Sequence, residues 1–352
     1  MQLYRTSTAH KYGITHLSFY PFDSLAFLSS SYDHTLKLHS SETLTVSATF
    51  DLSSVVYSHA VSIIASHLLV ACATQHPAIR LVDLRSGAST HSLAGHSGGV
   101  LTTQWSPTEE HILASGGTDG TVRFWDIRRS AGSLGMLDME DHIGIVGYDG
   151  LGTGARPANR GKAHSGAVNG LVWTDDGRHL VTTGLDERVR VWDMSTGANT
   201  LASFGPTVRN SHLSTLLPVI APSTLVPPKK EVLFFPNERE VLVYELFEAR
   251  LVKRLRTPGM VGGVSAGTGQ RNLRNRTTAL AWRMHNVELY SAHADGSIRA
   301  WKPRTSEDAA ADEEDRDQHA EDVADEEGSR KRKREVLDEV YRDLMGQKIT
   351  FS

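Results

Sequence analysis

An all-β fold, a β-propeller of six recognisable blades, is what the sequence predicts, and three observations predict it. His, Ser or Thr, Asp and Trp recur in that order, with nearly constant offsets, along the 352-residue chain. The first strand-ending positions of this pattern, 39, 82 and 125, are separated by 43 residues each, within the 40–45 residue period of a four-stranded propeller blade. Each copy also holds alternating apolar runs parted by turns such as "TDGT" (118–121), "TDDGR" (174–178) and "ADGS" (294–297). Alternation marks half-buried strands, and Asp-Gly turns join antiparallel neighbours.

The copies follow in order. The first carries His10, Phe19, Ser29 and Asp33, with His39 in the tryptophan position. The second is degenerate and ends in "IRLVDL" (79–84), where Val82 replaces Trp and Asp83 keeps the acid. It contains the longest apolar run, "AVSIIASHLLVACA" (60–73), read as two buried strands because it is too short to span a bilayer. The third is complete: His96, Trp105, Ser115, Asp119 and Trp125. The fourth repeats it with His164, Trp173, Thr182, Asp186 and Trp192. Between these two, the Gly-rich residues 131–161 are read as a mobile surface loop, with a substrate-contacting loop as the alternative. The fifth ends in "EVLVYEL" (240–246), with Tyr244 and Glu245, after an irregular proline-rich connection over 206–230. The sixth has Trp282, Ser291, Asp295 and Trp301, with Leu273 where the histidine should stand.

Composition divides the chain into three parts: the propeller (1–303), a disordered acidic and basic tail (304–334) and a short helix (335–352). Residues 305–328 hold 12 Asp or Glu and one Arg, so the body is mildly basic although the whole chain carries a net charge of −4. The run Arg330, Lys331, Arg332, Lys333, Arg334 reads as a nuclear localisation signal, or as a solvated charge run neutralised by the acidic tract. Val336, Leu337, Val340, Tyr341 and Leu344 mark one face of the helix. A lone cysteine, Cys72, excludes an internal disulfide and points to a reducing compartment. With no signal or membrane segment in view the chain reads as cytosolic or nuclear, and the basic run makes the nucleus the expected location.

Catalysis is set aside on local grounds. "GHSGG" (95–99) matches a nucleophile elbow, but the β-rich "VLTTQW" follows it where a helix is required. Its His and Asp recur in other copies, whereas a triad is needed once. Ser97 is therefore a loop residue beside a structural histidine. No metal spacing is present, and "GGVSAGTG" (262–269) lacks the Lys-Ser/Thr ending of a phosphate loop. No cofactor is expected, and direct DNA binding is disfavoured because no aromatic-basic platform stands out.

The repeated offsets resemble those of the WD-repeat family over roughly residues 1–303. That resemblance implies a bonded quartet in each good blade, Asp to His to hydroxyl to indole. Here the sets are Asp119–His96–Ser115–Trp125 and Asp186–His164–Thr182–Trp192, with Ser291, Asp295 and Trp301 as a partial third. The stretch from Ile112 through Asp119 and Val122 to Trp125-Asp126-Ile127-Arg128-Arg129 resembles the DWD box. This box marks WD-repeat receptors that bind the damage-specific DNA-binding protein 1 adaptor of cullin-4 ubiquitin ligases. It implies that Asp126 shapes the strand end and Arg128 reaches the adaptor, with Arg129 beside it; Val82-Asp83-Leu84-Arg85 is a weaker version.

Further pieces, among them "VVYSHAVS" (55–62) and "TGANTLASFG" (196–205), resemble the Cockayne syndrome group A protein family. The resemblance implies a non-catalytic substrate receptor of the cullin-4 ligase in transcription-coupled nucleotide excision repair. Its implied partners are the Cockayne syndrome group B ATPase and stalled RNA polymerase II. A WD-repeat scaffold of another nuclear complex is the alternative. The family has seven blades and an N-terminal helical segment, whereas this chain opens in what resembles the second blade; either "MQLYR" supplies the closing outer strand of a six-bladed ring or, the favoured reading, the chain lacks that N-terminal piece.

Overall fold

The computed structural model describes residues 9–129, 132–140, 161–227, 230–238, 240–256, 276–283 and 287–302. Among them are six antiparallel sheets, each built from strands consecutive in sequence. The first five have four strands and span residues 14–51, 56–94, 100–136, 168–199 and 219–255; the sixth has three and spans 277–301. The pattern is thus a propeller of six blades, each a meander running outward from its first strand.

Alternation becomes packing because successive side chains on a strand point to opposite faces. In the third blade Leu113 pairs with Trp125 and Ser115 with Arg123, in one unbroken antiparallel register. Trp125 lies against Ala60, Ala71, Ala73, Ile79 and Leu81 of the second blade. Ala114 and Val122 turn the other way, onto Val168, Leu171 and Trp192 of the fourth. Comparable apolar clusters join the first blade to the second and the fourth to the fifth. A fully buried aromatic removes about 150–250 Å² from water, so these seams supply most of the drive to assemble. Among the described residues no such cluster spans the sixth and first blades. Leu17 and Phe19 of the first blade are 50% and 64% exposed, as is Ile298 of the sixth at 65%.

Three connections differ from the sequence expectation. The apolar run 60–73 does yield two strands, Val56–Val61 and Leu69–Thr74, but Ile63 and Ile64 between them are exposed in a turn. The supposed loop 131–161 supplies the outer strand of the third blade, Gly135–Met136, and buries Leu137; the remainder of it, 141–160, lies outside the described residues. The irregular connection 206–230 contains the first strand of the fifth blade, Val219–Ile220, because its Val-Ile pair finds Phe234 and Leu233 as ladder partners. Its earlier part, residues 209–216, forms a strap across the end of the ring where the first strands begin. Asn169 Nδ2 donates to Asn210 Oδ1 and to the carbonyls of His212 and Ser214, at 2.9–3.0 Å. Thr215 Oγ1 lies 3.2 Å from Tyr57 O and 3.3 Å from Leu101 O, so one segment touches three blades. The acidic tail, the basic run 330–334 and the predicted helix 335–352 all lie outside the described residues.

Candidate functional site

The polar quartets come first, because they set where each strand end sits. In the third blade His96 Nδ1 is 3.1 Å from Asp119 Oδ2, His96 Nε2 is 2.8 Å from Ser115 Oγ, and Trp125 Nε1 donates to Ser115 Oγ at 2.8 Å. In the fourth, His164 Nδ1 is 2.8 Å from Asp186 Oδ1, His164 Nε2 is 2.7 Å from Thr182 Oγ1, and Trp192 Nε1 donates to Thr182 at 2.9 Å. A proton on Nδ1 of each ring lets the hydroxyl donate to Nε2 while it accepts from the indole. Burial works against the charge of Asp119, yet bonds from His96, Ser97 N and Thr121 hold its carboxyl well below the usual range. Ser97, the serine of the elbow-like motif, serves this quartet by donating its N–H to Asp119 Oδ2 at 3.0 Å.

The first blade builds the same relay without tryptophan. His10 Nδ1 lies 2.9 Å from Asp33 and its Nε2 lies 2.7 Å from Ser29 Oγ. Ser29 Oγ in turn is 2.7 Å from His39 Nε2. An imidazole N–H stands in for the indole N–H, and the ring stacks on Phe27 at 4.7 Å. The sixth blade departs further. Asp295 accepts from Ser297 N at 2.8 Å and pairs with Arg299 at 3.5 Å, within its own turn. Ser291 Oγ, expected to meet a loop histidine, lies 2.8 Å from His293 Nε2. His293 occupies the position held by Gly117 and Gly184 in the complete quartets. A Cβ on Gly184 would fall 2.4 Å from His164 Nδ1, so a side chain there occupies the imidazole's own space. His293 was missed from sequence, although a legible signal existed: Leu at the loop-His position with His at the glycine position. Leu273 itself lies outside the described residues.

At the opposite end of the blades, the acid after the tryptophan organises the chain's exit from the strand. Asp83, Asp126 and Asp193 each accept the backbone N–H two residues on, at 2.8–3.0 Å, a local turn that short acidic side chains favour. The third blade places an arginine at that second residue. Arg128 Nε donates to Asp126 Oδ1 at 2.9 Å and Nη2 to Oδ2 at 2.8 Å, a fork-on-fork pair. Asp126 is buried, while the Arg128 side chain is 65% exposed. Hydrogen bonding from Arg128 lowers the Asp126 carboxyl to about 2. Arg129 is 70% exposed, 3.8 Å from the same carboxylate. The guanidinium of Arg128 is therefore held in one orientation with its remaining N–H groups facing solvent. Among the described residues, no cluster of three or more His, Cys, Asp or Glu is placed to hold a metal ion, and no helix is long and apolar enough to cross a membrane.

The profile of the family described as "WD domain, G-beta repeat" matches residues 1–40, 87–126 and 156–193, which include the first, third and fourth quartets in large part. The chain carries WD repeats. Propellers of WD repeats are typically non-catalytic scaffolds. This WD-repeat chain is 29% identical over 350 residues to the WD repeat-containing protein ATCSA-1 of Arabidopsis thaliana, a match covering 84% of this chain and 73% of that one. It is 30% identical over 193 residues to the ribosome biogenesis protein YTM1 of Phaeosphaeria nodorum, covering 53% and 39%. Over 103 residues it is 29% identical to DDB1- and CUL4-associated factor 13 of Dictyostelium discoideum, covering 29% and 18%.

Proposed function

We propose that this WD-repeat protein is the substrate-recognition subunit of a cullin-4 RING ubiquitin ligase acting in transcription-coupled nucleotide excision repair. Arg128 is the residue that holds the damage-specific DNA-binding protein 1 adaptor. The observation that carries this reading is the Asp126–Arg128 fork: a pre-oriented, exposed guanidinium at a strand end, in a sequence like the DWD box. Arginine suits the task because its rigid fork loses little freedom on binding and commonly anchors interfaces. The relative whose name joins DDB1 and CUL4 supports the partner, and the coverage of ATCSA-1 supports a receptor of that kind. In this reading the protein is nuclear, and the Cockayne syndrome group B ATPase and stalled RNA polymerase II are its repair partners.

A second reading is favoured by the ribosome-biogenesis relative: a WD-repeat scaffold of another nuclear complex, with Arg128 as an ordinary surface residue. Titration with purified adaptor separates the two. The receptor reading expects wild-type binding, a loss of about tenfold or more for Arg128→Ala, and no loss for the weaker counterpart Arg85→Ala. Absence of wild-type binding, or indifference to Arg128→Ala, leaves the scaffold reading.

A further inference from the structure

The strap and the cation beside it have no part in the Arg128 edge. The strap is anchored too heavily for a simple connection. Asn210 Nδ2 donates to Asn169 Oδ1 at 2.8 Å and to Gly184 O at 2.9 Å. The Leu216 N–H donates to Asn169 O at 2.9 Å. A Cβ on Gly170 would stand 2.0 Å from Leu216 O, so the first strand of the fourth blade carries glycine where the strap lies on it. All this fixed backbone presents Leu213, 47% exposed, and Ser214 at the mouth of the ring.

Ser214 in turn holds Arg276, which precedes the first strand of the sixth blade. Arg276 Nη1 donates to Ser214 Oγ at 3.3 Å. The side chain is partly buried, and among the described residues no carboxylate lies within ion-pair distance of it. Glu238 and Tyr32 are near enough to favour its charge, but burial outweighs them. A partly desolvated guanidinium with one weak neutral partner is unfavourable by itself and favourable once a carboxylate arrives. Beside it is Tyr32, near enough to interact with its charge, 46% exposed and edge-on to Tyr57 at 6.4 Å. Such amphipathic aromatics and a central arginine are the residues that dominate protein interfaces.

We propose that this mouth, with Arg276, Tyr32 and Leu213 as its contact residues, binds an acidic segment of a partner protein: one Asp or Glu carboxylate on Arg276, flanked by an apolar side chain on Leu213 and Tyr32. Nucleic acid fits poorly. Binding it requires several phosphate contacts, and Arg276 supplies one. The site lies at the end opposite Arg128 and stands independently of the adaptor reading.

Selection of displayed random dodecapeptides on the full chain tests the proposal, followed by titration of individual synthetic peptides. The expected peptides carry Asp or Glu next to an aromatic or aliphatic residue. Arg276→Gln weakens them by about tenfold or more, the usual loss for a charge-assisted bond. Leu213→Ser, at an exposed position that folding does not need, weakens them several-fold. Arg128→Ala leaves them unchanged, which separates this site from the adaptor edge. The proposal is overturned if no peptide is enriched, if the enriched peptides lack acidic residues, or if Leu213→Ser and Arg276→Gln leave their affinity intact. Should Arg276→Gln not fold, Leu213→Ser decides.

Discussion

Asp119 shows how much one side chain can organise. It accepts bonds from His96, from the N–H groups of Ser97 and Thr121, and from the Thr121 hydroxyl. Replacing it with alanine strands several buried donors, each worth about 1–3 kcal/mol when left unmade. Asp119→Ala is expected to lose about 2–3 kcal/mol and to lower the melting temperature by roughly 4–12 °C, read by calorimetry. A melting curve matching wild type would remove the quartet from the account of stability. Arg128 gives the opposite expectation. In the proposed role its loss is expected to weaken adaptor binding, while calorimetry registers little change, because an exposed ion pair contributes little to the fold. Both side chains were legible in the sequence, because offsets along a strand and its turn are local. His293 is legible only in combination, as histidine at the glycine position where leucine stands at the loop-histidine position.

The contact between the first two blades predicts a pH dependence. His59 is buried there, with Nε2 2.8 Å from Ser18 Oγ and Nδ1 3.1 Å from Ser30 Oγ. Its ring lies 4.6 Å from that of His16. Burial pushes His59 well below its usual value and takes His16 down to about 4. Below about pH 6.5 the unfolded chain binds protons that the folded chain refuses. Stability is therefore expected to fall as pH drops from about 6.5 toward about 4. Asp33, Asp119 and Asp186 are held ionised in the fold, so their contribution disappears in a second fall below about pH 4. Melting temperatures measured across this range should show both declines; a flat curve from pH 7 to 5 would contradict the first. The strap makes a separate prediction. Gly170→Ala forces a Cβ into Leu216 O and Thr183 Oγ1, so residues 210–216 should exchange their amide protons faster than in wild type. Unchanged protection would mean that the strap does not depend on that close approach.

For the whole propeller, the apolar seams run from the first blade through the fifth, and the quartets hold register within blades. Its two ends differ in chemistry. One displays the Asp126–Arg128 fork among short polar turns, and the other displays the strap, Tyr32 and Arg276. If both proposed sites bind their ligands, single substitutions at the two ends should act additively, because distant sites with no shared neighbour couple weakly. An Arg128→Ala, Leu213→Ser double variant is expected to show both binding losses, each equal to its loss alone. Strong non-additivity, measured by titration of either ligand in the presence of the other, would indicate that the ring transmits between its ends.

The repeating blades followed from residue order, because strand alternation and hairpin turns involve neighbours a few positions apart, while the quartet bonds and the role of Arg128 came only with the family resemblance. Residue order also announced the mismatch at Leu273. What covers each blade did not follow from it. Which half of the apolar run stayed in the core, why Gly170 bears no side chain, and which cation lacks a carboxylate depend on segments brought together from 40 or more residues away (the strap on Asn169, for example, at a separation of 41). Hydrophobic burial and polar satisfaction are properties of surroundings, and those exist only once the chain has closed around itself.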